Sequence, residues 1–196
     1  MRYFRKISGE RLYLSPINDE DIEVYAKWMN DPDVAVSFGF GHRAFSLFLE
    51  RKELEHFALD QNVFAIVAAA NDELLGNAFF MDMNHIYRSA EVGIFIGEAR
   101  NRGGGYGAEA LSLIVGYGFE MLNLHSIMLH VHADNAQAQA CYGKVGFREC
   151  GRRTDAVFKN GKYVDMLSME ILDNEFAGRK QQARKERREE PCSGAV

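Results

Sequence analysis

Cysteine is scarce in this 196-residue chain: Cys141, Cys150 and Cys192 are an odd number and none sits in C-x-x-C spacing. That pattern excludes a disulfide framework and offers no zinc ribbon, so the three are read as free thiols. No stretch approaches the roughly 20 apolar residues that span a bilayer, and Met1 to Glu10 are polar and charged rather than a secretory leader. A cytoplasmic protein with no membrane partner is the expectation. Internal repeats are absent too. Basic charge is in short supply: the net charge is −5, yet Arg179, Lys180, Arg184, Lys185, Arg187 and Arg188 outnumber Glu186, Glu189 and Glu190 by three near the end, which leaves −8 on the body. An acidic body repels nucleic acid and draws cationic ligands. The tail, 177–196, mixes signs without apolar periodicity and is read as a flexible, solvated segment. Residues 1–176 then form one domain, with 47% hydrophobic residues over the chain to fill a single core.

Arg11 to Ser15 alternate as a short strand does, and Asn18 or Asp19 can cap a helix through Trp28 that Asn30-Asp31-Pro32 ends. A second helix is expected over 44–60, with Phe45, Phe48, Leu49, Leu54 and Phe57 as its apolar stripe and its charged residues facing water. Val63 to Ala70 and Leu74 to Met83 read as a hairpin around Asn71-Asp72, and Ala90 to Ile96 as a further strand. Leu111, Ile114, Val115, Phe119 and Leu122 recur at helical spacing, so a helix runs from Tyr106 to Leu122 although Gly116 and Gly118 weaken it by roughly 1 kcal/mol each. Ser126 to Val131 is a strand, Ala136 to Val145 a helix, and 147–158 with 163–171 a hairpin through Asn160-Gly161, a type I′ pair. One β-α-β crossover among mostly hairpin-connected strands predicts an α/β (α+β mixed) fold, a mixed sheet flanked by helices.

Arg102-Gly103-Gly104-Gly105-Tyr106-Gly107-Ala108 lies between a strand and a helix. Glycines let backbone N–H groups converge, the helix start adds positive partial charge, and Arg102 can add a charged contact, so the loop suits a phosphate or pyrophosphate. A merely flexible turn is the plain alternative for an isolated glycine cluster, and the strand-loop-helix context argues against it. The Gly-Lys-Ser/Thr ending of a nucleoside-triphosphate loop is missing, and the following strand offers no acidic residue for an NAD ribose.

With these residues in view, the chain resembles the GNAT (Gcn5-related) N-acetyltransferase superfamily. Arg102 to Gly107 match its coenzyme motif Gln/Arg-x-x-Gly-x-Gly/Ala at every defined position, and Asn135, Ala138, Tyr142, Gly146 and Phe147 match a second element. The resemblance covers Arg11 to Ile171 and is strongest over 90–147; Asn84-His85, Arg88 to Glu91 and Tyr117-Gly118-Phe119 are similar to the branch of ribosomal-protein N-terminal and spermidine acetyltransferases. It implies a mostly antiparallel, twisted sheet of about seven strands flanked by about four helices, whose parallel fourth and fifth strands splay to admit the pantetheine arm of acetyl-CoA. It further implies that the backbone of Phe95 and Ile96 bonds that arm, that Arg102, Gly103, Gly104, Gly105, Tyr106, Gly107 and Ala108 hold the pyrophosphate, and that Asn135 and Tyr142 border the thioester. A homodimer is the family expectation.

A free alkylamine near pKa 10 is protonated at neutral pH and must lose a proton before attacking a thioester. Glu91 is the candidate base, on the strand face shared with Gly93 and Phe95; a surface glutamate, with water carrying the proton instead, is the alternative. The leaving thiolate needs a proton donor, a role the resemblance assigns to Tyr142. Cys141 lacks a histidine partner and is read as a small buried thiol. His130 and His132 share a strand face but have no third ligand, so no metal is expected. Phe38, Phe40 and 39–42 are candidates for acceptor contact, with core packing or a mobile loop as the plain alternative. The acceptor is expected to be a small polyamine-like cation or a peptide N-terminus, with a catalytically silent CoA sensor and a non-CoA phosphate binder as the alternatives.

Overall fold

The computed structural model describes residues 3–36, 41, 43–59 and 62–177; Phe38, Gly39, Phe40, His42, Cys192 and the tail beyond 177 lie outside them. Strands β1 (Ile7–Ser8) and β2 (Leu12–Pro16) open the chain, followed by helices α1 (Ile22–Met29), α2 (Pro32–Ala35) and α3 (Leu47–Leu59). Strands β3 (Val63–Ala68), β4 (Leu74–Asn84) and β5 (Ser89–Ile96) lead to α4 (Tyr106–Glu120), β6 (Ser126–His132) and α5 (Ala136–Val145). The hairpin β7 (Arg148–Lys159) and β8 (Lys162–Leu172) precedes a helical turn at 173–177. The sheet order is β1-β2-β3-β4-β5-β6-β8-β7, antiparallel throughout except for β5 with β6.

The mixed, mostly antiparallel architecture agrees with the reading from sequence, but the sheet has eight strands rather than about seven. The additional one, β1, is only two residues long and folds back through Gly9, whose N–H bonds the Leu12 carbonyl at 2.8 Å; such a stub shows no alternation to read. Helices exceed the expected four as well: Asp31 caps α2 by accepting from the Asp33 N–H at 3.0 Å, so the Asn30-Asp31-Pro32 break starts a second short helix instead of a loop.

Helix α3 corrects the expected stripe. It begins at Leu47, after Ser46 accepts from the Leu49 N–H at 3.1 Å, and it buries Leu54 but leaves Phe48 71% and Phe57 44% exposed. Glu50, expected in water, is 6% exposed.

Two apolar layers enclose the sheet. On one face α4 seats Leu111, Ile114 and Val115 against Leu12, Ile66, Phe80, Val92 and Ile127. Gly118 belongs to this contact: an added Cβ would meet the Phe80 ring at 2.8 Å and Ile127 at 3.0 Å, so the helix accepts its low propensity in exchange for close approach to the sheet. On the other face α1 and α3 cover Tyr13, Ala65, Val67 and Leu74 with Trp28 and Leu54, and Phe95 packs edge-on to Trp28. At the β7–β8 turn Asn160 (φ 51°) and Gly161 (φ 76°) both take positive φ, as a type I′ turn requires. Among the described residues no helix is long and apolar enough to cross a membrane.

Candidate functional site

Strands β5 and β6 pair only over Ser89–Glu91 with Ser126–Met128. Beyond that point β5 remains joined to β4 as far as Ile96 and β6 to β8 as far as His132, so the two strands separate. The opening becomes a cleft of about 740 Å³, floored by Val92 to Ile96 and walled by residues of the glycine loop, β6 and α5.

The glycine loop closes one end. Gly103 (φ 77°) and Gly105 (φ 90°) adopt the left-handed region, and Gly105 is the residue from which α4 starts. The first N–H groups of this 15-residue helix have no intrahelical acceptor, and with the helix dipole they make an anion seat at the mouth of the cleft. Gly103, Gly105, Gly107, Ala108 and Arg102 line the cleft, whereas Gly104 and Tyr106 do not. Tyr106 lies beneath the Arg11 guanidinium, 4.8 Å from ring centre to Cζ.

Arg102 does something other than offer a free charge. Its Nε donates to the Ile96 carbonyl at 3.1 Å and Nη2 to the Gly97 carbonyl at 2.7 Å, with Asp31 and Asp33 at 3.9 and 3.7 Å. The side chain therefore ties the end of β5 to the loop. The corresponding brace on the far side is Arg11, which sequence reading did not single out: Nη1 donates to the Gly104 carbonyl at 2.9 Å and Nε pairs with Glu109 at 3.0 Å. Nothing in the local sequence links positions more than 90 residues apart; only β2 lying against α4 brings them together.

Glu91, Phe95, Ile96, Asn135 and Tyr142 all line the cleft, so the residues nominated from sequence are neighbours in space. Asn135 is committed to α5, accepting from the Ala138 N–H at 3.1 Å as its cap. Tyr142 projects from the same helix against Phe147, and burial pushes its phenol up to about 12, with Cys141 adding to the shift. The hydroxyl thus keeps its proton across the neutral range. Cys141 is half-buried and burial raises its pKa, which makes it a poor nucleophile.

On the opposite strand Glu91 is raised above the usual carboxylate range, first by burial and then by Asp82, while His130 pulls it back down. His130 Nε2 is 3.7 Å from Glu91 Oε2, and its Nδ1 shares a hydrogen bond of 3.1 Å with Ser168 Oγ. His130 is thus a hydrogen-bonded, exposed histidine, and its place beside Glu91 depends on the parallel β5–β6 register, which periodicity cannot supply. His132 is buried, 3.4 Å from Lys159 Nζ, and lowered by burial and by that lysine. Among the described residues no group of three histidine, cysteine, aspartate or glutamate side chains could hold a metal.

Residues 11–148 match the family model described as acetyltransferase (GNAT) domain. Spermidine N(1)-acetyltransferase of Vibrio cholerae is 35% identical over 114 residues, 58% of this chain and 65% of that enzyme, so this match spans just under two thirds of the relative. Spermidine N(1)-acetyltransferase of Escherichia coli is 28% identical over 170 residues, 86% of this chain and 90% of that enzyme. The crystal structure of the Vibrio cholerae spermidine N-acetyltransferase in complex with CoA and spermine superposes with a TM-score of 0.77 at 26% identity, over 86% of this chain and 99% of that one. A dodecameric structure of the same enzyme superposes at 0.72 with 28% identity, over 87% and 99%.

Proposed function

The chain belongs to the GNAT acetyltransferase family and is an N-acetyltransferase with acetyl-CoA as donor; from that premise we propose that its acceptor is a primary amine of a polyamine, deprotonated at Glu91, with Tyr142 as the proton donor. The acidic body, −8 outside the tail, favours such a cation over a neutral substrate. Two spermidine acetyltransferases among the relatives, and spermine in the complex of one of them, support the same choice.

The observation that carries the reading is the placement of Glu91 and Tyr142 on separate elements around one cleft whose end is the glycine loop. The cleft suits the donor: its length follows the splay, Gly103 and Gly105 leave the backbone bare where a pyrophosphate would lie, and orphan helix N–H groups point to that end. The donor supplies the activated acetyl group as a thioester. Backbone groups of Phe95 and Ile96 orient its pantetheine arm alongside β5. Glu91, in its raised range, takes a proton from the incoming ammonium, and His130 holds the carboxylate and offers the proton a route outward. The neutral nitrogen forms the new N–C bond as the C–S bond breaks; the Tyr142 hydroxyl delivers its proton to sulfur, and the proton the nitrogen sheds on becoming an amide restores the phenol. No covalent enzyme intermediate is needed once both partners are positioned.

Thiol release from acetyl-CoA by the purified full-length chain tests this, with spermidine, spermine and N-terminal peptides as acceptors. Turnover confined to the polyamines supports the reading. Turnover of peptides alone replaces the acceptor class, and tight acetyl-CoA binding without transfer to any amine makes the chain a sensor.

A further inference from the structure

A second, smaller pocket of about 90 Å³ lies on the α1/α3 side of the sheet, lined by Ile17, Met29, Leu54, Phe79 and Phe95 among others. Three polar residues from three different elements reach into it: Tyr25 of α1, Glu50 of α3 and Asn77 of β4, only 3%, 6% and 7% exposed. Among the described residues the Tyr25 hydroxyl, Glu50 Oε2 and Asn77 Oδ1 are buried with no partner in hydrogen-bonding geometry, and the Asn77 amide lies close enough to the Tyr25 hydroxyl to act on it. Buried polar atoms left unpaired are costly, and three of them around one pocket point to a ligand.

Their chemistry defines that ligand. A carboxylate and an amide oxygen only accept, and a phenol oxygen can accept too; what the pocket wants is a group rich in donors and positively charged. An alkylammonium offers three N–H donors and no acceptor, and the apolar lining suits the methylenes that carry it. A divalent metal fits poorly, because one carboxylate among aliphatic and aromatic walls supplies too few hard oxygens. Burial pushes the Glu50 carboxyl up to about 7, with Glu53 adding to the shift, as expected of an acid held without its counter-charge.

The pocket adjoins the catalytic cleft. Phe95 lines both, and the Phe79 ring lies over Gly93, where an added Cβ would meet it at 2.4 Å. Asn77 pairs with Phe95 and Met81 with Glu91, all on the same face of the hairpin. Four residues of strand separate the two rows, roughly 13 Å at about 3.3 Å per residue. An extended triamine bridges that span and a short diamine does not.

We propose that Glu50, Asn77 and Tyr25 form a distal subsite that receives the far ammonium of an extended polyamine while its reacting amine lies at Glu91. The proposal rests on the polyamine reading of the cleft and adds a measure of acceptor length to it.

The test compares wild type with Glu50→Gln and Tyr25→Phe, using calorimetric titration with spermidine in the presence of CoA and steady-state acetylation of spermidine against a short alkyl monoamine. Loss of a charged hydrogen-bond partner should cut the preference for spermidine over the monoamine about ten- to a hundredfold in E50Q and a few-fold in Y25F, through KM rather than kcat. Y25F removes one oxygen only and carries the comparison should E50Q fold badly. Spermidine acetylated with an unchanged KM by both variants overturns the subsite and leaves the polyamine reading standing. Spermidine bound in a Glu50-dependent way but never acetylated supports the subsite and removes the polyamine as acceptor. Wild-type protein that neither binds nor acetylates spermidine overturns both.

Discussion

Glu91 and His130 stand on the two parallel strands just where these part, with Oε2 and Nε2 3.7 Å apart. Glu91 is raised by burial, and the imidazole opposes that shift. If Glu91 is the base, kcat/KM rises with pH as the carboxylate ionises, and its acid limb lies above the ordinary glutamate range. His130→Ala removes the imidazole that holds Glu91 down, so the limb moves to higher pH. Glu91→Gln lowers kcat by about 10²–10⁴ and abolishes the limb. A pH profile of kcat/KM for the three proteins decides the matter; an unmoved limb in the histidine variant removes the coupling.

Tyr142→Phe leaves the helix and its contact with Phe147 in place, so acetyl-CoA affinity changes less than about threefold while kcat falls by about 10²–10³. Since the phenol titrates at about 12, wild type shows no basic limb from this group below about pH 10. Calorimetry with acetyl-CoA beside single-turnover rates separates the two effects. An unchanged rate removes Tyr142 as the donor.

Gly105→Val forces a β-branched residue into φ 90° and drives its Cβ to within 2.9 Å of Arg11 Nη2. Coenzyme binding should fall at least about tenfold, with a stability loss of about 1–3 kcal/mol. Gly104→Ala, where an added Cβ meets nothing within 4 Å, is the control and should fold normally. Normal acetyl-CoA binding by a folded Gly105→Val protein dissociates the loop from the coenzyme.

Arg11→Ala frees the Gly104 carbonyl and Glu109 Oε2, while Glu109 Oε1 keeps its backbone donors at Glu10 and Arg11, and KM for acetyl-CoA should rise about three- to tenfold with kcat nearly unchanged. Steady-state kinetics with varied acetyl-CoA checks it; a fall in kcat alone would show that Arg11 serves some other step.

Glu50 sets a pH dependence of stability. Its folded pKa of about 7 exceeds the ordinary 4.5, so the folded state keeps a proton that the unfolded chain releases. Stability therefore declines as pH rises from about 4.5 to about 7 and is level above that, by an amount whose upper limit is about 3 kcal/mol. Glu50→Gln escapes the loss, and its Tm should exceed that of wild type by a few degrees at about pH 8, converging near pH 4.5. Thermal melts in the absence of polyamine at both pH values check this, and a lower Tm for the glutamine variant at the higher pH would mean that the carboxylate is paired.

The amino-acid sequence alone determined the order of most elements, the Asn160-Gly161 turn and the glycine loop before α4, because each depends on residues close together in the chain; Tyr142 was nominated through the family resemblance. Backbone freedom at Gly103 and Gly105, helical spacing after Tyr106 and alternation through Glu91 are local physics, legible one segment at a time. The two-residue strand β1 was too short to announce itself, and the stripe of α3 was misjudged because periodicity names an apolar face without naming what covers it. Only the tertiary structure decided that β5 and β6 part after three pairs, that Arg11 braces a loop more than 90 residues away, and that Tyr25, Glu50 and Asn77 share a pocket. Such meetings are set by sheet register and by helices closing over the sheet, where the free energy comes from burying surfaces contributed by distant segments together.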